Sequence, residues 1–344
     1  MRRVALALAA SLLAGHAIAQ EAEVKPQAFT GPRAAMTAPK AAQARMLDIA
    51  TAGSQLVAVG EQGVILRSAD GKQWTQSPSP VNSMLTRVRF TDDKRGWVLG
   101  YSGSILQTED GGATWKLRHY DQEQHAMYDI LFLDAQHGFA VGGFGNVLET
   151  RDGGTTWAES APALAEQRLH LNTILRTADG SILIAGEHGL LARSTDAGAS
   201  WKALSSPYIG SYFGALAQGD KGAVVYGMRG NVFETADLAA CPSEDIATWD
   251  PDKQVTVEDP AKIAALGWKK IENPSRESLF GTMQLKSSRV FFGINGTVLQ
   301  QQNNEGALVP VKTPAVETLV HAVTFNNRVI AVGRQGIQDL GRLP

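Results

Sequence analysis

Aspartates are the residues whose spacing in this 344-residue chain comes nearest to chemistry. Asp70, Asp110, Asp152 and Asp196 stand in recurring strings of Ser/Thr-x-Asp-x-Gly-x-Ser/Thr-Trp. Three of these strings are full length, at residues 108–115, 150–157 and 194–201, and a version one residue shorter runs over 68–74. A carboxylate so placed, beside glycine and a hydroxyl residue, accepts backbone N–H groups across a tight turn, so a structural role is expected rather than catalysis. Asp48 and Asp129 differ, because they open equivalent apolar segments in the first and third repeats. Across a channel mouth they would form the carboxylate pair that a retaining or inverting glycosidase requires. The opposing expectation is that both bond neighbouring backbone.

Other chemistries lack their residues. There is no His-Glu-x-x-His, Cys-x-x-Cys or phosphate-cradling glycine loop. Seven scattered histidines and one cysteine give no metal-ligand spacing, so neither metal nor cofactor is expected. His125, His170 and His321 read as polar residues near a channel. Cys241 has no internal disulfide partner and reads as a shielded thiol.

The elements that position these residues follow from a repeat. An apolar strand, a Gly-x-x-Gly turn and a second strand recur at residues 57–68, 98–108, 140–150, 183–194, 224–235, 290–301 and 330–340. The first turn glycines are Gly60, Gly100, Gly142, Gly186, Gly227, Gly293 and Gly333. Their spacings, 40, 42, 44, 41, 66 and 40, are those of propeller blades, so residues 45–344 read as a seven-bladed all-β propeller. In each turn the glycines are expected to supply positive φ. The tryptophans that end the aspartate strings should plug the gaps between blades. The last repeat stops short of an outer strand, and closure favours a ring without open edges. The segment 20–44, in particular residues 27–44, is therefore expected to close the last blade.

The long fifth spacing marks an acidic insertion at residues 238–267. Within it, Asp259-Pro260 followed by Gly267 predicts one short helix with its N-cap, first-turn proline and terminal glycine. Residues 1–19 read as a cleaved export signal, with Arg2 and Arg3 ahead of a short apolar run and a cut after Ala19. That places the product in the periplasm or outside the cell. Loss of the two arginines takes the net charge from -2 to about -4, which implies no general affinity for nucleic acid or anionic lipid.

Strings of this kind in register, short loops and a Val-x-Gly-x-x-Gly-x-Val/Ile-Leu-x-Thr repeat resemble the photosystem II assembly and stability factor family of Asp-box propellers, and residues 140–157 carry the likeness best. Sialidases, xyloglucanases and sortilin-type receptors share single Asp boxes. The resemblance implies a non-catalytic scaffold that binds newly made membrane-protein segments, with a partner in an envelope membrane complex or transporter. The family's arginine-rich patch is reduced here to Arg87 and Arg89 with Lys94 and Arg95 nearby. The face bearing the glycine turns and the innermost strand starts is then the binding face. Its candidate residues are Arg87, Tyr101, Tyr128, Asp129, Phe144, His188, Tyr212, Arg229, His321 and Arg334. A monomer that does not insert into the membrane is expected; the competing function is an Asp-box glycoside hydrolase or a sugar-binding lectin.

Overall fold

The computed structural model describes residues 31–121 and 125–343. The expected signal at 1–19 and the first part of the N-terminal segment lie outside them. Seven antiparallel sheets follow one another along the chain, one per repeat, as an all-β propeller. Blade 1 holds β1 (Met46–Ala52), β2 (Gln55–Gly60), β3 (Ile65–Ser68) and β4 (Thr75–Ser77); blade 2 holds β5 (Leu85–Phe90), β6 (Gly96–Gly100), β7 (Ile105–Thr108) and β8 (Lys116–His119). Blade 3 holds β9 (Met127–Phe132), β10 (Gly138–Gly142), β11 (Val147–Thr150) and β12 (Ala158–Ser160), after which comes the helix α1 (Pro162–Gln167). Blade 4 holds β13 (Leu171–Arg176), β14 (Ile182–Gly186), β15 (Leu191–Ser194) and β16 (Lys202–Leu204), and blade 5 begins with β17 (Tyr212–Gln218), β18 (Gly222–Gly227) and β19 (Val232–Thr235).

The insertion then contributes β20 (Ser243–Asp245) and α2 (Pro260–Ala265) before β21 (Lys269–Lys270) completes blade 5. β20 pairs with β16, so the insertion adds a fifth strand to the preceding blade. The short helix forms as expected: the Asp259 carboxylate accepts from Ala261 N and Lys262 N, and Gly267 takes φ +80° beyond its end. Blade 6 holds β22 (Leu279–Gln284), β23 (Ser288–Gly293), β24 (Val298–Gln302) and β25 (Val309–Pro310), and blade 7 holds β26 (Leu319–Phe325), β27 (Arg328–Gly333) and β28 (Gly336–Gly341).

Each second strand is a continuous apolar run because neighbouring blades cover both its faces. β6, β10, β14 and β18 are buried along their whole length. The core is accordingly a series of clusters at the seams. Val57, Val59 and Ile65 of blade 1 pack with Leu85, Val98 and Trp115 of blade 2, and Phe139 and Val141 of blade 3 pack with Trp201 of blade 4. Each tryptophan of an aspartate string thus covers the blade before it. Trp268 does so for blade 5, against Leu183 and Ala185. The same arrangement closes the ring, where Trp74 of blade 1 packs on a cluster holding Ile330 and Val332 of blade 7.

Among the described residues, the N-terminal segment adds no strand to blade 7. Ala35 N donates to Ser79 O, and the Gln76 side chain bonds Met36 O and Ala38 N, which ties this stretch to blade 1. A 3-10 turn at Ala41–Gln43 then packs near the start of β28. The closure expected as an added strand is, over residues 32–44, a side-chain and turn contact instead.

The turn glycines also need a correction. Gly60, Gly142, Gly186 and Gly293 have extended φ near ±180°. Glycine is required there because a Cβ would lie about 2.2–2.3 Å from a carbonyl oxygen of the neighbouring chain, Arg45 O in the case of Gly60. Positive φ falls instead on the second glycine and on the residue before it, including Phe144, His188 and Arg229.

Candidate protein-binding face

Each innermost strand carries a one-residue register shift at its second position, a bulge repeated in all seven blades. The residue after the bulge is Asp48, Arg87, Asp129, Thr173, Gly214, Gly281 or His321, one per blade. The members on blades 7, 1, 2, 3 and 4 touch in succession. The Asp48 carboxylate is fully buried and accepts from Val88 N of the next blade at 2.8 Å. His321 Nδ1 lies 2.6 Å from Asp48 Oδ1 and 3.2 Å from Ile49 O. Asp129 accepts from Thr173 Oγ1 at 2.8 Å and from Ile174 N at 3.1 Å, again across a blade seam. Arg87 bridges the two aspartates, with Nε 3.1 Å from Asp129 and Nη1 3.9 Å from Asp48, and Arg89 reaches Asp129 at 3.6 Å.

This arrangement decides the role of the pair. Burial opposes ionisation of Asp48, but His321, Arg87 and Arg89 more than offset it and hold its carboxyl well below the usual carboxylate range. The same aspartates, working against burial, keep the Arg87 guanidinium charged. A glycosidase needs one carboxylic acid that stays protonated and room for substrate between the two groups. Asp48 and Asp129 are instead clamps between blades, and Asp129, 2% exposed, leaves the set of residues a partner can touch.

On the other side of the axis the series runs out of side chains. Gly214 and Gly281 leave a cavity of about 200 Å³, bounded by Arg87, Arg89, Thr173, Gln284, His321 and Tyr226. Tyr226 belongs to a second strand, and sequence reading missed it. A Cβ on Gly214 would lie 2.1 Å from its hydroxyl, so glycine at that position admits the ring toward the axis. Burial pushes the Tyr226 phenol upward, and it stays neutral. The glycine was the available signal, because it breaks the series of polar residues.

The glycine turns form the rim of this face. Tyr101 is 45% exposed and Phe144 52% exposed; His188, Arg229 and Arg334 are exposed as well. Tyr128 is half-buried, and burial raises its phenol to about 12. Arg87 and His321 sit deeper, at the channel. Tyr212 is fully buried; its ring packs with Tyr208 and Phe233 and its hydroxyl bonds Ser206, so no partner can reach it.

Phe144 organises the aromatic part of the rim. Its backbone is left-handed, at φ +56° and ψ +35°, and its N–H donates to His170 Nδ1 at 3.2 Å. The His170 ring stands edge-on to Phe144 at 5.1 Å and to Tyr128 at 5.7 Å, and His125 lies 5.6 Å from Phe144 on another side. A groove of about 350 Å³ runs beside it, lined by Phe144, His125, Asn146, Glu159, Pro162 and Ala165.

The aspartate turns lie at the opposite ends of the strands, since each third strand runs back from the glycine turn. In all four, the leading Ser or Thr hydroxyl donates to the carboxylate. Asp152 accepts from Thr155 N and Thr156 N, and its second oxygen accepts from Thr156 Oγ1 at 2.7 Å. Each carboxylate is consumed by its own turn. Among the described residues there is no cluster of three His, Cys, Asp or Glu side chains able to hold a metal ion, and no helix long and apolar enough to cross a membrane.

Residues 65–128 and 121–244 match the family model described as Photosynthesis system II assembly factor YCF48. Two chloroplast proteins named Photosystem II stability/assembly factor HCF136 are similar over shorter stretches. The one from Guillardia theta is 43% identical over 54 residues, covering 15% of this chain and 14% of the relative. The one from Cyanidioschyzon merolae is 33% identical over 76 residues, covering 20% and 17%. Among solved structures, YCF48 bound to D1 peptide superposes with a TM-score of 0.63 at 15% identity, over 87% of this chain and 94% of that one. Virginiamycin B lyase from Staphylococcus aureus gives 0.64 at 11% identity, over 87% and 95%. At such identities these likenesses establish the fold alone, and an enzyme stands among them.

Proposed function

This chain belongs to the family described as Photosynthesis system II assembly factor YCF48, and from that premise we propose that it is a non-catalytic scaffold acting in the periplasm. Its partner is an extended segment of an envelope membrane protein or complex, held on the glycine-turn face. One observation carries the reading: large aromatic side chains are displayed on rim turns that have no folding need for them, while the axial carboxylates are locked away as clamps. Aromatic and arginine side chains are the usual anchors of protein interfaces. A solved relative in complex with a peptide supports a peptide as the ligand class. The matched stretches span only a small part of the curated relatives, so the partner is argued from this face and not transferred from them.

The experiment is affinity capture from envelope extract with identification of what co-purifies. Tyr101→Ala with Phe144→Ala, and separately Arg229→Ala with Arg334→Ala, are expected to weaken capture of one membrane-complex subunit while leaving the melting temperature unchanged. Turnover of a sialoside or β-glucan by the purified protein, abolished in a folded Asp129→Asn variant, overturns the proposal in favour of a hydrolase.

A further inference from the structure

Polar groups near the axis divide into those met by the fold and those left facing a cavity. The Asp48 and Asp129 carboxylates are met across the seams, the first by Val88 N and the second by Thr173 Oγ1 and Ile174 N. The cations beside them are met only in part. Arg87 commits its Nε to Asp129 and Tyr128 O, but its Nη1 stands 3.9 Å from Asp48, beyond hydrogen-bond reach. The Arg89 guanidinium comes no nearer to a carboxylate than 3.6 Å and makes no hydrogen bond to a described residue. The Tyr226 hydroxyl likewise has no partner among the described residues, although the residue is only 4% exposed.

All three groups line the cavity of about 200 Å³ that Gly214 and Gly281 leave beside the axis. A guanidinium can only donate and a phenol donates readily, so what enters must accept. Two arginines stand against two aspartates, which leaves no surplus charge to hold a dianion. A carboxylate gains instead from geometry, because its two oxygens match the planar forks of the arginines. The rest of the wall is apolar, with Ala215, Leu216, Phe280 and Met283, and the Phe280 ring is braced by Phe213 at 5.1 Å. That volume equals about six or seven waters at ~30 Å³ each, room for an acid of a few carbons. Arg89 is 39% exposed and Gln284 is exposed, so the mouth lies beside them. Both sit at the far ends of their strands, opposite Trp97 and Arg289, on the aspartate-turn side of the ring.

We propose that this cavity binds a small free monocarboxylic acid, entering from the aspartate-turn face. Its carboxylate meets Arg87, Arg89 and Tyr226, and its short apolar tail lies against Phe280 and Met283. The site stands apart from the scaffold reading, at the other end of the channel from the aromatic rim. Its walls come from blades 2, 5 and 6, so a bound acid ties blade 2 to the two blades across the axis. A ligand that binds only the closed ring stabilises it by mass action.

The probe is trifluorobutyrate, followed by its fluorine NMR signal as the purified protein is added. Saturable broadening is expected, reversed by butyrate but not by butyramide, which keeps the shape and loses the charge. Inorganic phosphate should compete poorly, and the probe should raise the melting temperature. Tyr226→Phe and Arg89→Gln each remove one donor while keeping most of the volume, and each should weaken probe binding about tenfold. Both variants are first shown to fold by their melting temperatures without probe. An acetylated tripeptide with a free C-terminal carboxylate separates a free acid from the end of a chain. No saturable broadening, equal displacement by butyramide, or unchanged affinity in both folded variants overturns the proposal. Tighter binding of the tripeptide than of the probe overturns the assignment to a free acid. Rim-dependent capture, measured on the same two variants, should stay at the wild-type level, so that failure of this site and failure of the scaffold reading are seen separately.

Discussion

Near a propeller axis a carboxylate becomes an acid, a base or a clamp according to how its charge is met. Asp48 is buried, yet His321, the Arg87 and Arg89 guanidiniums and a backbone N–H make ionisation the cheaper state. The exposed turns reach the same end without burial. Bonds from Thr156 lower Asp152 to about 2, and bonds from Ser200 lower Asp196 to about 2. All of these folded-state values lie below the unfolded value near 3.8. A depressed folded value stabilises the fold above the unfolded value, and that contribution is lost as pH falls through the folded one. The denaturant midpoint should therefore be level from about pH 7 to about pH 5 and fall steeply between about pH 4 and pH 2. A midpoint that holds to the bottom of that range would show these carboxylates are not held ionised by the fold. The hydroxyl that begins each turn is equally exposed to test. Thr150 Oγ1 accepts from buried Gly154 N, so Thr150→Val keeps the shape and orphans a donor. It should cost about 1–3 kcal/mol in chemical denaturation and leave partner capture untouched.

At the scale of strands and turns, the repeat was legible because every blade restates one local requirement: two backbone segments cross so closely that only glycine fits. The reason was misread for the first glycine, whose neighbour comes from the start of the innermost strand and is invisible in a local string. The bulge in that strand was equally hidden. It decides that Asp129 turns to the axis and is buried while Tyr128 stays half-exposed; Tyr212, before the bulge of its own strand, stands where Leu85 and Met127 do and is buried like them. The exposed aromatics could be read because a two-residue turn between glycines has nowhere to hide Phe144 or Tyr101. What no pattern announced is the polar seam between blades 5 and 6. There Arg289, nearly fully buried, bonds Gln218, Glu234 and Asn304 O. It sits at the strand position that holds Gly96 in blade 2 and Gly138 in blade 3. Arg289→Ala leaves Glu234 without its buried partner and should cost about 3 kcal/mol or more, whereas Arg289→Met, which refills the volume, should cost less. Equal losses in the two variants would mean that volume, not charge pairing, holds this seam.

For the ring as a whole, stability depends on seams in series, and the seams are unequal. Trp74, Trp115, Trp157, Trp201 and Trp268 each cover the blade before them. Blades 6 and 7 have no tryptophan, and Leu308, Leu340 and Leu343 stand in those places. A buried tryptophan removes far more apolar surface than a leucine, so these seams bury less and the 5/6 seam adds the desolvation cost of Arg289. Among the described residues, the sheet of blade 7 also has three strands where the others have four or five. Native proteins open first where buried apolar contact is least, in contiguous units rather than residue by residue. Under native conditions, amides of β23 to β28 should therefore exchange through a sub-global opening well below the global unfolding free energy. Those of β6, β10 and β14 should exchange only with global unfolding. The measurement is native-state hydrogen exchange read by peptide mass across a denaturant series. Exchange appearing first in blades 2 to 4 would place the weak point elsewhere.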